Sequence, residues 1–230
     1  MKLDRLLAKH GSMGRNLARQ TILAGRVRVN GEIQRRIDHE ITRFCHVEAD
    51  AAIVQQQERQ LHIMLHKPVG VVSATKDAEH PTVVGLIDDP DRESLHLAGR
   101  LDRNTSGLVL LTNDGRWSKA LMAPFRKVPK VYLVQTRDAI PPEAVSAFAA
   151  GFYFHTENLT TLPAELEILG AREARLTLHE GRYHQVKRMF HRIGNQVTAL
   201  HRERIGSLSL PDDLAPGEWR HLTPEEIAGD

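Results

Sequence analysis

The segment GRLDRNTSGL, residues 99 to 108, is a polar turn between two apolar stretches that are typical of β-strands. Its one carboxylate, Asp102, lies between Arg100 and Arg103 in the chain. Cationic neighbours favour the ionised form of a carboxyl group, and the two glycines of the segment allow the backbone of a ligand to approach closely. The residues alone leave two interpretations open: a catalytic carboxylate, or a loop aspartate that accepts hydrogen bonds from nearby amides.

Strand-like alternation recurs on both sides of this turn. We predict strands near residues 61–65, 95–98, 107–112, 130–136, 164–169, 174–178 and 207–210. Helical spacing and end signals predict helices over residues 114–122, 141–150 and 183–193, and a capping-box sequence at Thr223 starts a further helix. Because strands do not alternate strictly with helices, the expected class is α+β, with a mixed, mainly antiparallel sheet and flanking helices.

The first part of the chain has a helix–helix–hairpin pattern. Apolar side chains recur at helical spacing from Leu3 to Leu7 and from Leu17 to Ile22, and Gly11 and Gly25 end the two helices. The pair Asn30-Gly31 predicts a type I′ hairpin turn. This pattern predicts a small separate domain.

Residues 47–60 are polar and lack a clean period, so we interpret them as the end of this domain and a connector. The predicted domains are therefore residues 1–58 and residues 59–230.

Charge is sorted along the chain, although the net charge is only +2. Residues 1–46 contain ten Lys and Arg against four Asp and Glu, and residues 172–204 contain eight against three, whereas residues 211–230 are acidic. On the second helix, Arg15, Arg19 and Arg26 share one predicted stripe that fits a phosphate backbone. The alternative for this stripe is a solvated helix face.

Several function classes lack their sequence signals. The chain contains neither G-x-x-x-x-G-K-[ST] nor G-x-G-x-x-G, so no nucleotide cofactor is indicated. It has no H-E-x-x-H motif and only one cysteine, Cys45, so we expect no metal site and no internal disulfide. Without a secretory leader or an apolar run of about 20 residues, we expect a soluble cytoplasmic protein.

Four ordered motifs resemble those of RNA pseudouridine synthases. They are Lys67-Pro68-x-Gly70, the segment GRLDRNTSGL, Lys130-x-Tyr132, and EGRYHQVKRM from residue 180. The preceding segment, KLDRLLA to GRVRVNG, is similar to the S4 RNA-binding domain. The segments EGRYHQVKRMF and LHRERIG resemble the corresponding segments of the family members that act on small-subunit ribosomal RNA.

This resemblance implies a reaction, a substrate and partners. The reaction is the isomerisation of one uridine to pseudouridine without a cofactor, at position 516 of 16S ribosomal RNA. The implied partner is that RNA or a small-subunit assembly particle, with no membrane partner, and we expect a monomer. Two alternatives stay open: a sister enzyme that acts on 23S RNA, and a non-catalytic RNA-binding or ribosome-assembly factor.

The resemblance also implies roles for individual residues. Asp102 is the implied nucleophile, Tyr132 the ring that stacks on uracil near the C5 proton, and Lys187 the cation that keeps Asp102 ionised. Arg100 is implied to take the place of the flipped nucleotide, since an enzyme cannot reach a stacked, paired base. Further arginines are predicted to contact phosphates: Arg103, Arg182, Arg188, Arg202 and Arg204.

Overall fold

A computed structural model describes residues 1–10 and 13–229. The chain divides into two compact units, residues 1–60 and a second unit that begins at Leu61. The fold is α+β. Among the described residues the longest helix has nine residues, which is too short to cross a bilayer.

The first unit consists of two helices and a four-stranded antiparallel sheet of order β2-β1-β3-β4: α1 (Leu3–His10), α2 (Arg15–Leu23), β1 (Val27–Val29), β2 (Glu32–Ile33), β3 (Val47–Ala49) and β4 (Ala52–Gln55). The apolar faces of both helices pack against β1 and β3 in one core. The predicted turn is present, since Asn30 and Gly31 both have positive φ. Gly25, also at positive φ, follows α2 as predicted, whereas Gly11 lies outside the described residues.

Three details of this unit differ from the sequence prediction. Residues 47–55 form the hairpin β3–β4 and not a connector, because Val47 and Ala49 alternate into the core. Arg26 follows α2 and does not extend a helical stripe, since the helix ends at Leu23. Leu17 is largely exposed, so the buried face of α2 consists of Ala18, Thr21 and Ile22.

The second unit is built on a nine-stranded mixed sheet. Its strands, with a separate two-stranded pair β9–β10, are β5 (His62–Lys67), β6 (His96–Leu97), β7 (Ser106–Thr112), β8 (Lys130–Thr136), β9 (Tyr153–Phe154), β10 (Leu159–Thr160), β11 (Glu165–Gly170), β12 (Glu173–Leu178), β13 (Val197–Ile205), β14 (Leu208–Ser209) and β15 (Trp219–His221). The helices are α3 (Gly115–Met122), α4 (Ala144–Ala150), α5 (Gln185–Arg192) and α6 (Pro224–Ala228). Three short 3₁₀ helices cover Val84–Leu86, Arg92–Ser94 and Pro124–Arg126.

The strand order is β11-β12-β8-β13-β7-β5-β15, with β14 paired to β13 and β6 paired to β7. All of these pairings are antiparallel except β7–β13, which is parallel. This confirms the mixed, mainly antiparallel sheet. Strands β5 and β7 are buried along nearly their whole length, and β7 contains the continuous apolar run Leu108 to Leu111.

Gly107 determines how closely the parallel pair can approach. A Cβ at this position would lie 2.3 Å from the Arg202 carbonyl oxygen, and the glycine has a φ of +109°. The prediction that Gly107 allows the backbone of a ligand to approach is therefore wrong, because the backbone of β13 lies in that space.

Two helix starts differ from the prediction, and four strands of this unit, β9, β10, β13 and β15, were not predicted. The turn at Pro141 and Pro142 makes i→i+3 bonds, so α4 begins only at Ala144. His184 has a left-handed backbone, so α5 begins at Gln185. Strand β13, the longest of the described sheet, was not predicted.

Candidate active site

Asp102 lies in the turn between β6 and β7 and contacts two side chains at the start of α5. Lys187 Nζ donates a hydrogen bond to Asp102 Oδ2 at 2.9 Å. His184 Nε2 lies 3.4 Å from Asp102 Oδ1. The side chain of Asp102 remains 31% exposed, so the carboxylate is paired and still accessible.

A pocket of about 70 Å³ lies at this carboxylate. Its lining includes Tyr132 from β8, Arg100 before Asp102, and Lys187 from α5. The ring of Tyr132 is buried. The structure therefore brings Asp102, Tyr132 and Lys187, which lie far apart in the sequence, into one pocket.

The turn that carries Asp102 is held by the preceding KPVG segment. Lys67 is fully buried at the end of β5 and donates to three carbonyl oxygens: Pro68 at 3.0 Å, Arg103 at 3.3 Å and Thr105 at 2.7 Å. The Gly70 amide also donates to the Arg103 carbonyl. These contacts fix the backbone on the C-terminal side of Asp102.

Burial lowers the pKa of Lys67 to about 8. The Asp102 carboxylate opposes this shift, and the charge of Arg202 adds to it. Lys67 is therefore a second cation in the electrostatic environment of Asp102.

Two further side chains hold the backbone on the N-terminal side of Asp102, and one of them also binds the start of β7. The buried Ser73 hydroxyl donates to the Leu101 carbonyl at 2.7 Å, and it accepts from the Leu101 amide at 3.0 Å. Arg202 on β13 donates to the Leu108 carbonyl at 2.8 Å and to the Arg100 carbonyl at 3.3 Å. Because Arg202 is only 2% exposed, the prediction that it contacts phosphates is wrong.

The loop before α5 is organised around Glu180. Its carboxylate accepts from the Leu162 amide, from Gln185 Nε2 and from Arg182 Nε, all within 2.9 Å. Gln185 in turn accepts from the Arg182 amide. This network holds the left-handed residue His184 and the first turn of α5 beside Asp102.

The side chains that contact the Asp102 carboxylate in the described structure are Lys187 and His184, and not those of the sequence neighbours Arg100 and Arg103. Arg103 Nε donates to the Gly70 carbonyl. Arg100 is exposed at the pocket. The flanking guanidinium groups therefore do not form the pairs that the sequence suggested.

Three of the other predicted RNA contacts, Arg26, Arg182 and Arg188, already pair with carboxylates within the chain. Arg188 pairs through two nitrogens with Glu157, at 2.6 and 2.7 Å, and lies over the Phe154 ring. Arg182 pairs with Glu180. In the first unit Arg26 pairs with Asp50, at 3.1 Å.

Arg15 and Arg19 both contact the buried Asp4 through Nε, at 3.4 and 3.2 Å. Burial by itself raises the pKa of Asp4, but the hydrogen bonds and charges of Arg19 and Arg15 outweigh it and hold this pKa below its ordinary value. Both arginine side chains remain about half exposed.

Sequence reasoning gave no role to His184, Ser73, Glu180 or the Lys67 side chain. Lys67, His184 and Glu180 lie inside the quoted motifs. A lysine at the end of a buried strand needs hydrogen-bond acceptors, and this requirement is the signal that could have identified Lys67. No signal marks Ser73. Among the described residues, no group of three or more His, Cys, Asp or Glu side chains could hold a metal ion.

Comparisons with known proteins agree on one family. Residues 61–192 match the family model described as RNA pseudouridylate synthase, and residues 1–43 match the S4 domain. The chain is 51% identical over 227 residues to the ribosomal small subunit pseudouridine synthase A of Pseudomonas aeruginosa, covering 99% of each chain. The protein of that name from Escherichia coli K12 is 45% identical over 228 residues, with the same coverage. A solved pseudouridylate synthase structure matches with a TM-score of 0.72 at 39% identity, covering 100% of this chain and 99% of that chain.

Proposed function

The chain belongs to the RNA pseudouridylate synthase family, and from this premise we propose that it converts one uridine of small-subunit ribosomal RNA to pseudouridine. The observation that carries the proposal is the 2.9 Å contact between Lys187 and Asp102 in a pocket that Tyr132 also lines. The names of the relatives support the substrate, and the sequence resemblance suggests position 516 of 16S ribosomal RNA.

The reaction needs an accessible carboxylate and no redox change. The bond between ribose C1′ and uracil N1 breaks, a bond between C1′ and C5 forms, N1 gains a proton and C5 loses one. We propose that Asp102 assists the detachment of the base, by attack on the sugar, by attack on the ring, or by a glycal-type elimination. Lys187 favours the ionised carboxylate that all three routes require.

Tyr132 and Arg100 have proposed roles in holding the base outside its helix. The Tyr132 ring forms one wall of the pocket, where it can stack on uracil, and its phenol oxygen is the proposed group near the departing C5 proton. Arg100 is exposed at the pocket and is the proposed substitute for the extruded nucleotide. Extrusion costs a few kcal/mol, which contacts of this kind offset.

The remaining RNA contacts are proposed for arginines of both units. Arg15 and Arg19 touch Asp4 only through Nε, which supports phosphate binding by their terminal nitrogens. Arg26, Arg182 and Arg188 pair with carboxylates, so a phosphate has to exchange with these partners. We also propose that the chain acts as a monomer in the cytoplasm, where ribosomal RNA is found, without a nucleotide cofactor.

The test is an assay of the purified full chain on RNA labelled with tritium at uracil C5, because the reaction releases that hydrogen to water. Free 16S RNA, free 23S RNA and precursor small-subunit particles are compared, and the product is mapped. We expect release from a 16S substrate at a single uridine. Release from 23S RNA alone would overturn the substrate assignment.

Asp102→Asn is the matched variant for the enzymatic role. We expect it to keep its fold and its RNA affinity and to lose tritium release, because an amide cannot act as the carboxylate does. Wild-type turnover by this variant would refute the role of Asp102. Tight RNA binding without release by the unaltered chain would indicate a non-catalytic assembly factor.

A further inference from the structure

A larger groove of about 770 Å³ adjoins the pocket of Asp102. It is lined by residues of the β9–β10 segment, by α5 and by the turn that follows α5. His184 and Lys187 line both the groove and the smaller pocket. A chain that places one nucleotide at Asp102 can therefore continue directly into this groove.

The groove is lined by cationic and aromatic side chains. Among the described lining residues there is no Asp or Glu, whereas Arg137, Lys187, Arg188 and Arg192 all contribute. Arg188 is neutralised by Glu157, and Arg137 pairs with Asp138. Arg192, by contrast, is exposed and donates only to a neutral acceptor, the carbonyl of Tyr153, at 3.2 Å.

Tyr153 gives the groove a partly exposed aromatic ring. The residue is 41% exposed, and the His155 ring meets its ring edge-on with centroids 4.8 Å apart. The Tyr153 hydroxyl donates to Asn158, which restrains the ring. An exposed, restrained aromatic ring beside guanidinium groups is the usual platform on which proteins stack bases of single-stranded RNA.

We propose that this groove binds the single-stranded RNA segment that flanks the target uridine, with a phosphate at Arg192 and a base stacked on Tyr153. The inference rests on the proposed function and adds a second contact region to it. Extrusion of a uridine disturbs the pairing of its neighbours, so an unpaired flanking strand is available for such a groove.

The test compares Arg192→Gln with Arg92→Gln. Both arginines are exposed and donate to a backbone carbonyl at 3.2 Å, Arg192 to Tyr153 and Arg92 to Ile87, but Arg92 lies outside the groove. We expect Arg192→Gln to raise KM for 16S RNA about fivefold, as for removal of an exposed ion pair. The slope of log KM against log salt should fall by about 0.7, the value for one single-strand phosphate. Arg92→Gln should change neither quantity.

Two further variants and a cross-link locate the RNA. Arg192→Lys keeps the positive charge, so its salt slope should be close to that of the unaltered chain. If Arg192 had only a structural role, the lysine variant would not recover this slope. An oligoribonucleotide with 4-thiouridine beside the target uridine should cross-link, on irradiation, to the peptide that contains Tyr153, and less so in Tyr153→Leu.

The failures of the two proposals are distinguishable. If the unaltered chain releases tritium, but Arg192→Gln behaves like Arg92→Gln and no cross-link maps to this peptide, the groove proposal is refuted and the enzyme assignment stands. If the unaltered chain releases no tritium from any ribosomal substrate, the proposed function fails. In that case a cross-link at Tyr153 would still report RNA in the groove.

Discussion

Asp102 is both accessible and paired with a cation. About a third of its side chain is exposed, while Lys187 holds Oδ2 and His184 lies beside Oδ1. A cation at hydrogen-bond distance stabilises the carboxylate and restricts its rotamer, so both oxygens stay oriented toward the pocket. The orientation of this carboxylate therefore depends on residues at the start of α5.

Replacing Lys187 with Met should lower the single-turnover rate of tritium release about 100-fold, the usual effect of removing one preorganised charged donor. Lys187→Arg should keep most of the rate. Circular dichroism of both variants should match the unaltered chain, and a Lys187→Met rate within twofold of normal would contradict this account.

Lys67 acts on Asp102 through the backbone, so its replacement should affect both stability and activity. Lys67→Met removes three hydrogen bonds to backbone carbonyls and leaves the buried Thr105 carbonyl without this donor, so we expect a loss of about 3 kcal/mol in the free energy of unfolding. Lys130→Met removes a single bond, to the Val128 carbonyl, and should cost less than half as much. Urea unfolding measures both values, and equal losses would refute the special role of Lys67.

The lowered pKa of Lys67 adds a pH signature to the same variant. The pKa is about 8 in the folded chain and 10.5 in the unfolded chain, so the unfolded state binds more protons between these values. Stability contributed by this group must therefore rise with pH from about 8 to 10.5. The stability difference between the unaltered chain and Lys67→Met should widen over that window, and a constant difference would show that burial does not lower this pKa.

At the scale of elements, strands with a regular apolar pattern could be predicted from the sequence, whereas β13, which contains several charged residues, could not. The sequence predicts β8 and β7 closely, since their buried faces consist of apolar side chains. It misses β13 because His201, Arg202, Glu203 and Arg204 look like a solvated segment. Only the tertiary structure shows that Arg202 is buried, where backbone carbonyls of neighbouring segments accept its hydrogen bonds.

The hairpin β3–β4 illustrates a second reason for failure. Its turn uses Asp50 and Ala51, both at positive φ, where glycine or asparagine would have given a signal. The candidate site shows the opposite case: its residues lie in recognisable motifs, so they were predictable. The resemblance also implied the pairing of Lys187 with Asp102, whereas the contact between His184 and Asp102 was not predicted.

The β7–β13 junction should be the element least tolerant of substitution. Gly107→Ala forces a Cβ to within 2.3 Å of the Arg202 backbone at a φ of +109°, and we expect a loss of more than about 3 kcal/mol together with loss of activity. Gly99→Ala is the matched control: its φ is +98°, but nothing lies within 4 Å of the added Cβ. It should cost only the backbone strain, about 1 to 2 kcal/mol. Similar losses in the two variants would show that close strand approach contributes nothing.

At the scale of the whole molecule, positive charge is concentrated in two zones, residues 1–46 and residues 172–204, with net charges of +6 and +5. The first zone belongs to the S4-type unit and the second contains α5 and β13 of the catalytic unit. When both units bind the same RNA molecule, binding by one unit raises the effective concentration of the RNA at the other unit. We therefore expect the catalytic unit by itself to need only a modest affinity for RNA.

The double variant Arg15→Ala and Arg19→Ala should test this division of labour. We expect KM for 16S RNA to rise and the slope of log KM against log salt to fall by about two, one for each phosphate that is no longer bound, while kcat at saturating RNA stays the same. The two arginines also neutralise the buried Asp4, so their removal destabilises the first unit by itself. Adding Asp4→Asn removes that buried charge and should restore stability to urea without restoring the salt slope. If the triple variant instead regains the normal salt slope, the arginines serve the fold of the first unit and contact no phosphate.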